Sequence, residues 1–281
     1  MPELPEVETV VRGLRPLLVG RRLRHVIVRR RDLRTRAPRD LARRREGRLV
    51  VGVERRAKYV LIRLDDGPQG EGLVLVIHLG MSGRLVAGRI GAGRAGLHDH
   101  FEFETDDGTR VCFTAPRRFG LVALVAGKAI ERDKRFAGLG PEPLGKEFTP
   151  AYLAQALARR RTAIKAALLD QRIVTGIGNI YAAEALFEAG ISPRRQAGAI
   201  GPARARRLVA AIRDVLARAI AAGGSTSRDY VQASGKPGWF QNQWAVYNRE
   251  GQPCRGCRCG GAVKRIVQGG RSTFYCARRQ R

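Results

Sequence analysis

Hydrophobic and polar positions follow different patterns in the two halves of the chain. In the first half, apolar segments are short, rich in β-branched residues and separated by Gly, Pro and Asp, which is typical of strands. The predicted strands are 22–30, 49–64, 73–79, 100–105 and 110–114. Residues 3–14 are different, because their valines and Leu14 recur at helical spacing. The pattern predicts a β-sandwich or barrel with an N-terminal helix packed on it.

The second half has the periodicity of helices. Predicted helical segments are 150–170, 180–189 and 202–222, and the last carries Leu208, Ile212, Val215 and Leu216 on one stripe. Residues 87–97 are rich in glycine and predict a loop, and 138–150 are rich in Pro and Gly and predict a linker. Residues 224–244 are polar and Gly-rich, as expected of a loop that closes over a ligand.

These segments predict an α+β chain in four parts. The parts are a β-sandwich domain at 1–137, a linker at 138–150, a helical domain at 151–244 and a cysteine-bearing hairpin at 245–281. A length of 281 residues is enough for two domains with separate cores.

Charge narrows the class of partner. The chain has 53 Lys and Arg against 25 Asp and Glu, a net charge of +28, and a pI near 11.4. A chain this basic requires a polyanion, and nucleic acid is the usual one. A membrane surface is the competing anion, but no apolar run spans a bilayer. A GC-rich genome accounts for Arg in place of Lys, but it does not account for the deficit of acids.

Cysteine spacing predicts a metal site. Four of the five cysteines lie near the C-terminus, as Cys254, Cys257, Cys259 and Cys276. Thiolates at the two ends of a short hairpin are typical of structural zinc. Cys112 stands alone in an apolar strand, and we interpret it as a core residue.

The chain opens Met1-Pro2-Glu3-Leu4-Pro5-Glu6. Removal of Met1 would leave Pro2 with a free secondary amine, whose ordinary pKa near roughly 8 keeps a sizeable neutral fraction at pH 7. Such an amine can attack a sugar C1′ and form a Schiff base, with Glu3 as a proton donor. The alternative is that proline and acids simply begin a helix.

A glycine turn precedes the predicted helix 180–189. The turn is Gly176-Ile177-Gly178-Asn179, and free backbone N–H groups at such a helix start suit a phosphate. An ordinary N-cap role for Asn179 is an equally good interpretation from these residues alone.

Together these motifs resemble the formamidopyrimidine-DNA glycosylase family. The resemblance rests on PELPEVETV at the start, His78-Leu79-Gly80-Met81-Ser82-Gly83, Pro116-Arg117-Arg118-Phe119-Gly120, the Gly176–Tyr181 turn and the basic cysteine hairpin. It implies an N-terminal β-sandwich, then a helix–two-turn–helix domain that ends in a zinc-finger hairpin. It also implies a bifunctional glycosylase and AP lyase, which excises 8-oxoguanine and formamidopyrimidines through an N-terminal proline Schiff base and cleaves the strand by β,δ-elimination.

The resemblance implies a role for each matching residue. Pro2 corresponds to the nucleophile, Glu3 to the acid that assists sugar ring opening, and Lys58 to a lysine of proton transfer in β-elimination. Arg271 corresponds to a residue of δ-elimination that also binds phosphate. The other predicted phosphate ligands are His98, Arg160 and Asn179, and the residues that fill the gap left by the extruded base are Met81, Arg117 and Phe119. Glu6 corresponds to a carboxylate near the active site. For Lys58, a surface lysine in a basic strand is the alternative; for Met81 and Phe119, it is core packing.

Two positions depart from the family pattern. Ala115 stands where the family usually has Asp, and Arg279 stands where the fourth zinc cysteine is usual. We expect one structural Zn²⁺ held by Cys254, Cys257, Cys259 and Cys276, with Cys257 as the substitute ligand. A site of three cysteines plus another ligand, or a hairpin without metal, are the alternatives.

The expected partner is double-stranded DNA with oxidised bases or abasic sites. We expect no membrane partner, a monomer, and a bacterial cytoplasmic location in association with the nucleoid. Two other functions remain open from the sequence: an endonuclease VIII-type glycosylase for oxidised pyrimidines, and a non-catalytic architectural DNA binder. Leu4 and the Met81, Arg117 and Phe119 set favour the purine enzyme.

Overall fold

The chain folds as two units, and each unit is built from two stretches of sequence. The computed structural model describes residues 1–34, 46–67, 70, 72–91, 96–257 and 259–281. The first unit, called the sandwich unit here, comprises Met1–Ala137 and Ala222–Trp239. The second, the helical unit, comprises Gly138–Ala221 and Phe240–Arg281. The predicted α+β class is confirmed.

In the sandwich unit a helix is followed by strands that form two four-stranded antiparallel sheets. The elements are α1 (Leu4–Leu18), β1 (Leu23–Val28), β2 (Val50–Arg56), β3 (Tyr59–Leu64), β4 (Leu73–His78), β5 (Arg84–Arg89), β6 (Asp99–Thr105), β7 (Thr109–Thr114) and β8 (Leu121–Ala126). One sheet has the order β1-β6-β7-β5, and the other has β2-β3-β4-β8. A short 3₁₀ turn, Gly127–Ala129, follows β8.

The core of this unit confirms the predicted face of α1. Val7, Val10, Val11 and Leu14 are fully buried among residues of both sheets. The helix continues past the predicted end at 14, because Leu18 extends the buried stripe by one more turn.

Two strand predictions need correction. Segment 49–64 is a hairpin rather than one strand, since the chain reverses at Ala57, whose φ is +54°. The predicted loop 87–97 begins inside β5, and neither β5 nor β8 was predicted as a strand. Residues 92–95 of that loop lie outside the described part of the chain.

The helical unit contains α2 (Pro150–Leu157), α3 (Ile164–Leu169), α4 (Asn179–Glu188), α5 (Pro202–Ala221) and a hairpin of β9 (Lys264–Gln268) and β10 (Arg271–Tyr275). Short 3₁₀ turns lie at Ala197–Ala199 and Phe240–Gln243. The predicted helix 150–170 is wrong as a single element. Arg159 has a φ of +60°, and Ala163 pairs with Gln196 in an isolated bridge, so the chain leaves the helix between α2 and α3.

The segment Ala222–Trp239 packs with the sandwich unit, although the predicted division grouped it with the helices. Tyr230 and Ala233 belong to the sandwich core, which explains that assignment. The four-part division by residue number stays a prediction. No described helix combines the length and apolar character needed to cross a bilayer.

Candidate active site and nucleic-acid interface

Pro2 and Glu3 lie at the N-terminal end of α1, and both are buried. Glu3 is the N-cap residue, and Pro5 occupies the first turn, where proline lacks only a hydrogen bond that the helix would not make. The backbone N–H of Glu3 donates to Oε2 of Glu6 over 2.8 Å. The predicted nucleophile and acid therefore stand on a rigid helix start, and the interpretation as a helix start is compatible with a chemical role.

Glu6 connects this helix start to the segment Ala222–Trp239. Its Oε1 accepts the backbone N–H of Ser225 at 2.7 Å, while Oε2 accepts that of Glu3. The hydroxyl of Tyr230 donates nearby, to the Glu6 carbonyl at 3.3 Å or the Gly223 carbonyl at 3.1 Å. Burial raises the pKa of Tyr230, so this hydroxyl stays protonated. The buried carboxylate of Glu6 thus joins the start of α1 to the segment Ala222–Trp239.

The segment itself is folded. The backbone N–H of Trp239 donates to the Ala222 carbonyl over 3.0 Å, so the two ends of the segment are hydrogen-bonded to each other. Thr226 Oγ1 accepts the N–H of Gly238 at 2.8 Å. Ala87 on the edge strand β5 donates to the Ala233 carbonyl at 2.8 Å. We call Ala222–Trp239 the capping segment.

Lys58 lies in the tight turn between β2 and β3 and is 7% exposed. Arg55 holds the turn, since its guanidinium donates to the Ala57 carbonyl at 3.1 Å and to Glu8 Oε2 at 2.9 Å. The alternative of a surface lysine in a strand is wrong, because the side chain is buried and lies in a turn.

Met81 and Phe119 lie on two turns that touch. They are 43% and 48% exposed, so the core-packing alternative is wrong for both. The turns can approach because residue 80 is glycine: its φ is +67°, and a Cβ there would overlap the backbone of Phe119. The Arg117 guanidinium carbon lies 5.2 Å from the centre of the Phe119 ring. All three predicted gap-filling residues therefore lie on neighbouring exposed turns.

His78 stabilises the turn that carries Met81, and the sequence predicted no role for it. Its Nδ1 accepts the N–H of Gly80 at 3.0 Å, which requires that nitrogen to be unprotonated. Burial lowers the pKa of His78 to about 4, which is consistent with a neutral ring.

His98 is exposed, and its carbonyl accepts the N–H of Ala115 at 2.9 Å. The buried His100 holds the Ala115 carbonyl through Nε2 at 3.1 Å. Ala115 itself is 1% exposed and packs in the sandwich core. Nearby, Arg118 donates to Asp32 at 2.8 Å, so an ion pair is present at this turn without a carboxylate at 115.

In the helical unit, Asn179 is the first residue of α4, and Gly178 is the N-cap. The N-cap interpretation of Asn179 is therefore wrong. Its Oδ1 accepts from Lys165 Nζ at 2.6 Å, and its amide donates to the Ser272 carbonyl at 3.0 Å. The Tyr247 hydroxyl lies 3.5 Å from the same amide nitrogen.

Lys165 was missed by the sequence reasoning. It is 1% exposed, and its ammonium group also donates to Thr273 Oγ1 at 2.6 Å and the Ser272 carbonyl at 3.3 Å. An ammonium has only donors, so it fixes the carboxamide of Asn179 with the oxygen inward and the NH₂ group away from it. A lysine inside the apolar run Ile164–Leu169 was the available signal.

Arg271 begins β10 and is exposed beside Ser272. Its neighbours around a shallow surface pocket are Lys165, Asp170 and Gln268. Arg160 also lies near this pocket's Asp170, at 3.7 Å, and its Nε donates to the Ala156 carbonyl at 2.8 Å. The helical unit thus collects three of the predicted phosphate ligands: Arg160, Asn179 and Arg271.

The four C-terminal cysteines converge. Their sulfur atoms all lie within 4.8 Å of one another. Sγ of Cys257 lies 3.2 Å from that of Cys254 and 3.8 Å from that of Cys276, and Cys259 lies 3.7 Å from Cys276. Tetrahedral zinc with bonds of about 2.3 Å separates its sulfurs by about 3.8 Å. The donor set and spacing fit a metal ion, and Cys257 is part of the set.

The chain matches two family models in sequence order. Residues 1–122 match the formamidopyrimidine-DNA glycosylase N-terminal domain, and residues 139–231 match the formamidopyrimidine-DNA glycosylase H2TH domain. Among curated relatives named formamidopyrimidine-DNA glycosylase, that of Rhodospirillum rubrum is 53% identical over 286 residues and that of Rhizorhabdus wittichii is 54% identical over 281. Both comparisons cover 100% of each chain.

Solved structures are similar over nearly the whole length. The MutM (Fpg) protein from Thermus thermophilus has 40% identity and a TM-score of 0.86, covering 99% of this chain and 98% of that one. Wild-type Lactococcus lactis Fpg (MutM), solved with DNA containing N7-benzyl-Fapy-dG, has 30% identity, a TM-score of 0.88 and 99% coverage of both chains.

Proposed function

Since the chain belongs to the formamidopyrimidine-DNA glycosylase family, it is a DNA glycosylase of base-excision repair, and we propose that it is bifunctional. It excises oxidised purines, chiefly 8-oxoguanine and formamidopyrimidines, and then cleaves the strand as an AP lyase. The observation that carries the proposal is the buried Pro2–Glu3 helix start, which Glu6 joins to the capping segment.

Excision begins at the amine of Pro2 once Met1 has been removed. The amine nitrogen attacks C1′ of the damaged nucleotide, and the C1′–base bond breaks, so that the base leaves with the electron pair and takes up a proton. As the base leaves, the nitrogen gives up its proton to it and Glu3 protonates the sugar ring oxygen, so that the ring opens and nitrogen and C1′ form an iminium ion. Burial of both residues keeps bulk water from competing at this step.

Strand cleavage follows from the same iminium ion. The ion acidifies the hydrogen on C2′, and loss of that proton expels the 3′ phosphate; Lys58 takes part in this proton transfer. In a second elimination, C4′ loses its proton and the 5′ phosphate is expelled, with the help of Arg271. Hydrolysis of the remaining imine returns the amine of Pro2.

Base extrusion requires that the gap in the duplex be filled. Met81 and Phe119 present a flexible thioether and an aromatic ring on exposed turns, which suits insertion between bases. Arg117 beside them hydrogen-bonds the orphaned cytosine. His98, Arg160, Asn179 and Arg271 bind phosphates, which supply affinity and register rather than lesion choice.

Lesion choice resides in the capping segment, which presents backbone groups to the extruded base. Leu4 and the Met81, Arg117 and Phe119 set support purine lesions, and so does the similarity to a Lactococcus lactis protein solved with DNA containing a Fapy-dG derivative. The pyrimidine-preferring endonuclease VIII type is the second candidate, which these residues do not favour.

The metal is one structural Zn²⁺ per chain, held by the thiolates of Cys254, Cys257, Cys259 and Cys276. The convergence of the four sulfurs supports this ligand set. Bound zinc would tie the ends of the β9–β10 hairpin together and take no part in the chemistry. The protein acts as a monomer in the bacterial cytoplasm on double-stranded DNA that contains oxidised bases or abasic sites.

Borohydride trapping on a duplex with 8-oxoguanine opposite cytosine tests the proposal. We expect a covalent adduct with the native chain and a strong loss with Pro2→Gly, which leaves a primary and conformationally loose amine. Pro5→Ala is the matched control, since this second proline of the same helix start is not the nucleophile.

Three outcomes would contradict parts of the proposal. Absence of any adduct would indicate an architectural DNA binder. Stronger trapping on a duplex with an oxidised pyrimidine would favour the endonuclease VIII type. An adduct formed by a chain that retains Met1 would exclude Pro2, because its nitrogen would then be an amide.

A further inference from the structure

Arg279 lies three residues after Cys276, where the fourth thiolate would be expected, and its guanidinium points to the end of α4. Nε donates to the Phe187 carbonyl at 3.1 Å. Nη2 reaches both the Glu188 carbonyl at 3.4 Å and the Glu188 carboxylate at 3.3 Å. The guanidinium carbon lies 4.6 Å from the centre of the Phe187 ring.

These contacts are chemically matched. The last carbonyls of a helix lack partners within the helix, and the negative end of its dipole favours a cation there. A planar guanidinium can stack on an aromatic ring and still donate from its edge. Arg279 therefore caps α4 through two backbone carbonyls, one carboxylate and one ring.

The same side chain also holds the first cysteine pair. A terminal nitrogen of Arg279 donates to the carbonyl of Gly256, which lies between Cys254 and Cys257. Gly256 packs directly over Phe187, and a Cβ at this position would overlap the ring. We call Cys254–Cys257 the knuckle. The knuckle and the end of α4 are thus joined through one guanidinium.

At its other end, α4 is joined to the hairpin. Asn179 at the start of α4 and Ser272 and Thr273 on β10 all bind the ammonium of Lys165. The cysteine-bearing hairpin region is therefore attached to both ends of α4: the knuckle is joined to its last residues, and β10 is joined to its first residue. Arg271 immediately precedes Ser272, so its position relative to Asn179 depends on both attachments.

We propose that Arg279 is a positioning residue that clamps the knuckle onto α4 and so keeps Arg271 in register with Asn179. A fourth cysteine at this position would connect the segment to the knuckle through the metal. Arg279 makes that connection by hydrogen bonds and stacking instead, and Cys257 serves as the fourth ligand. The DNA-binding consequence rests on the proposed function, whereas the clamp itself does not.

Arg279→Met tests the clamp, because Met keeps an apolar chain over Phe187 but has no donor. Arg279→Lys keeps the charge without the planar fork, and Arg281→Met removes a charge from the same chain end as a control. We expect Arg279→Met to raise amide hydrogen exchange in the knuckle about tenfold, and zinc release to a colorimetric chelator by a similar factor. In Arg279→Lys both rates should lie between those of the native chain and Arg279→Met, and in Arg281→Met both rates should match those of the native chain.

A double-mutant cycle separates positioning from general structural damage. Affinity for a duplex with an abasic-site analogue should fall severalfold in Arg279→Met, but not further when Arg271→Ala is already present. Exchange in α5 should stay native in every variant.

The exchange and metal-release measurements do not use DNA, so they judge the clamp even if the proposed function fails. Native exchange and native zinc release in Arg279→Met would overturn the clamp. Equal losses of affinity with and without Arg271 would overturn the positioning role.

Discussion

Glu6 offers the sharpest test of how the catalytic end of α1 is connected to the capping segment. Its two carboxylate oxygens accept two backbone N–H groups, from Glu3 at 2.8 Å and from Ser225 at 2.7 Å. Glu6 is 2% exposed, so water cannot replace a lost partner. Glu6→Gln keeps the shape but leaves one acceptor oxygen and puts an NH₂ group against the other N–H.

The expected cost follows from these two bonds. A hydrogen bond to a buried charged group contributes about 1.5–3 kcal/mol, and a neutral one about 1 kcal/mol. Glu6→Gln loses one charged bond and weakens the other, a total of about 3 kcal/mol. If this acts on local opening of the capping segment, its opening constant rises on the order of 100-fold.

Native-state hydrogen exchange at the amides of Ser225 and Glu3 measures that opening directly. We expect faster exchange at these amides in Glu6→Gln. We also expect the substitution to slow excision of 8-oxoguanine more than it slows strand cleavage at a preformed abasic site. Glu8→Gln is the matched control for the exchange measurement, because Glu8 pairs with Arg12 and Arg55 rather than with the capping segment. Native exchange at both amides in Glu6→Gln would refute the bridging role.

Four further predictions concern the proposed chemistry and binding. Glu3→Gln should slow base release by about 10²–10⁴-fold in single-turnover assays while lesion binding persists, and native excision would exclude the acid role. Arg117→Ala should lose about 1–3 kcal/mol of discrimination of the opposite base in a panel of duplexes, and an unchanged preference would count against reading by Arg117. Lys165→Met should weaken binding of an abasic-site duplex about tenfold, but by a smaller factor in an Asn179→Ala background; fully additive losses would contradict its action through Asn179. Cys257→Ser should lower zinc content and DNA affinity before the sandwich unit unfolds, and full occupancy with native affinity would place the fourth ligand elsewhere.

The local sequence pattern was enough to predict those features whose residues lie close together along the chain. The apolar spacing in α1 predicted its buried face, and the cysteine spacing predicted a cluster that includes Cys257. The same local reasoning predicted one helix over 150–170, because it could not detect the reversal at Arg159. Periodicity records which residues are apolar, but the path of the chain between them depends on contacts such as that of Ala163 with Gln196.

The sequence by itself determined the α+β class, the family resemblance and the residue types available for chemistry, since these depend on neighbours along the chain. Only the tertiary structure decided that Glu6 bonds Ser225 across a separation of 219 residues, or that Lys165 meets Thr273 across 108. It also decided that Arg279 caps α4 instead of facing solvent as an ordinary basic residue. Each of these polar groups is explained by a partner far along the chain, because a donor or acceptor removed from water must be paired wherever the fold brings one within reach.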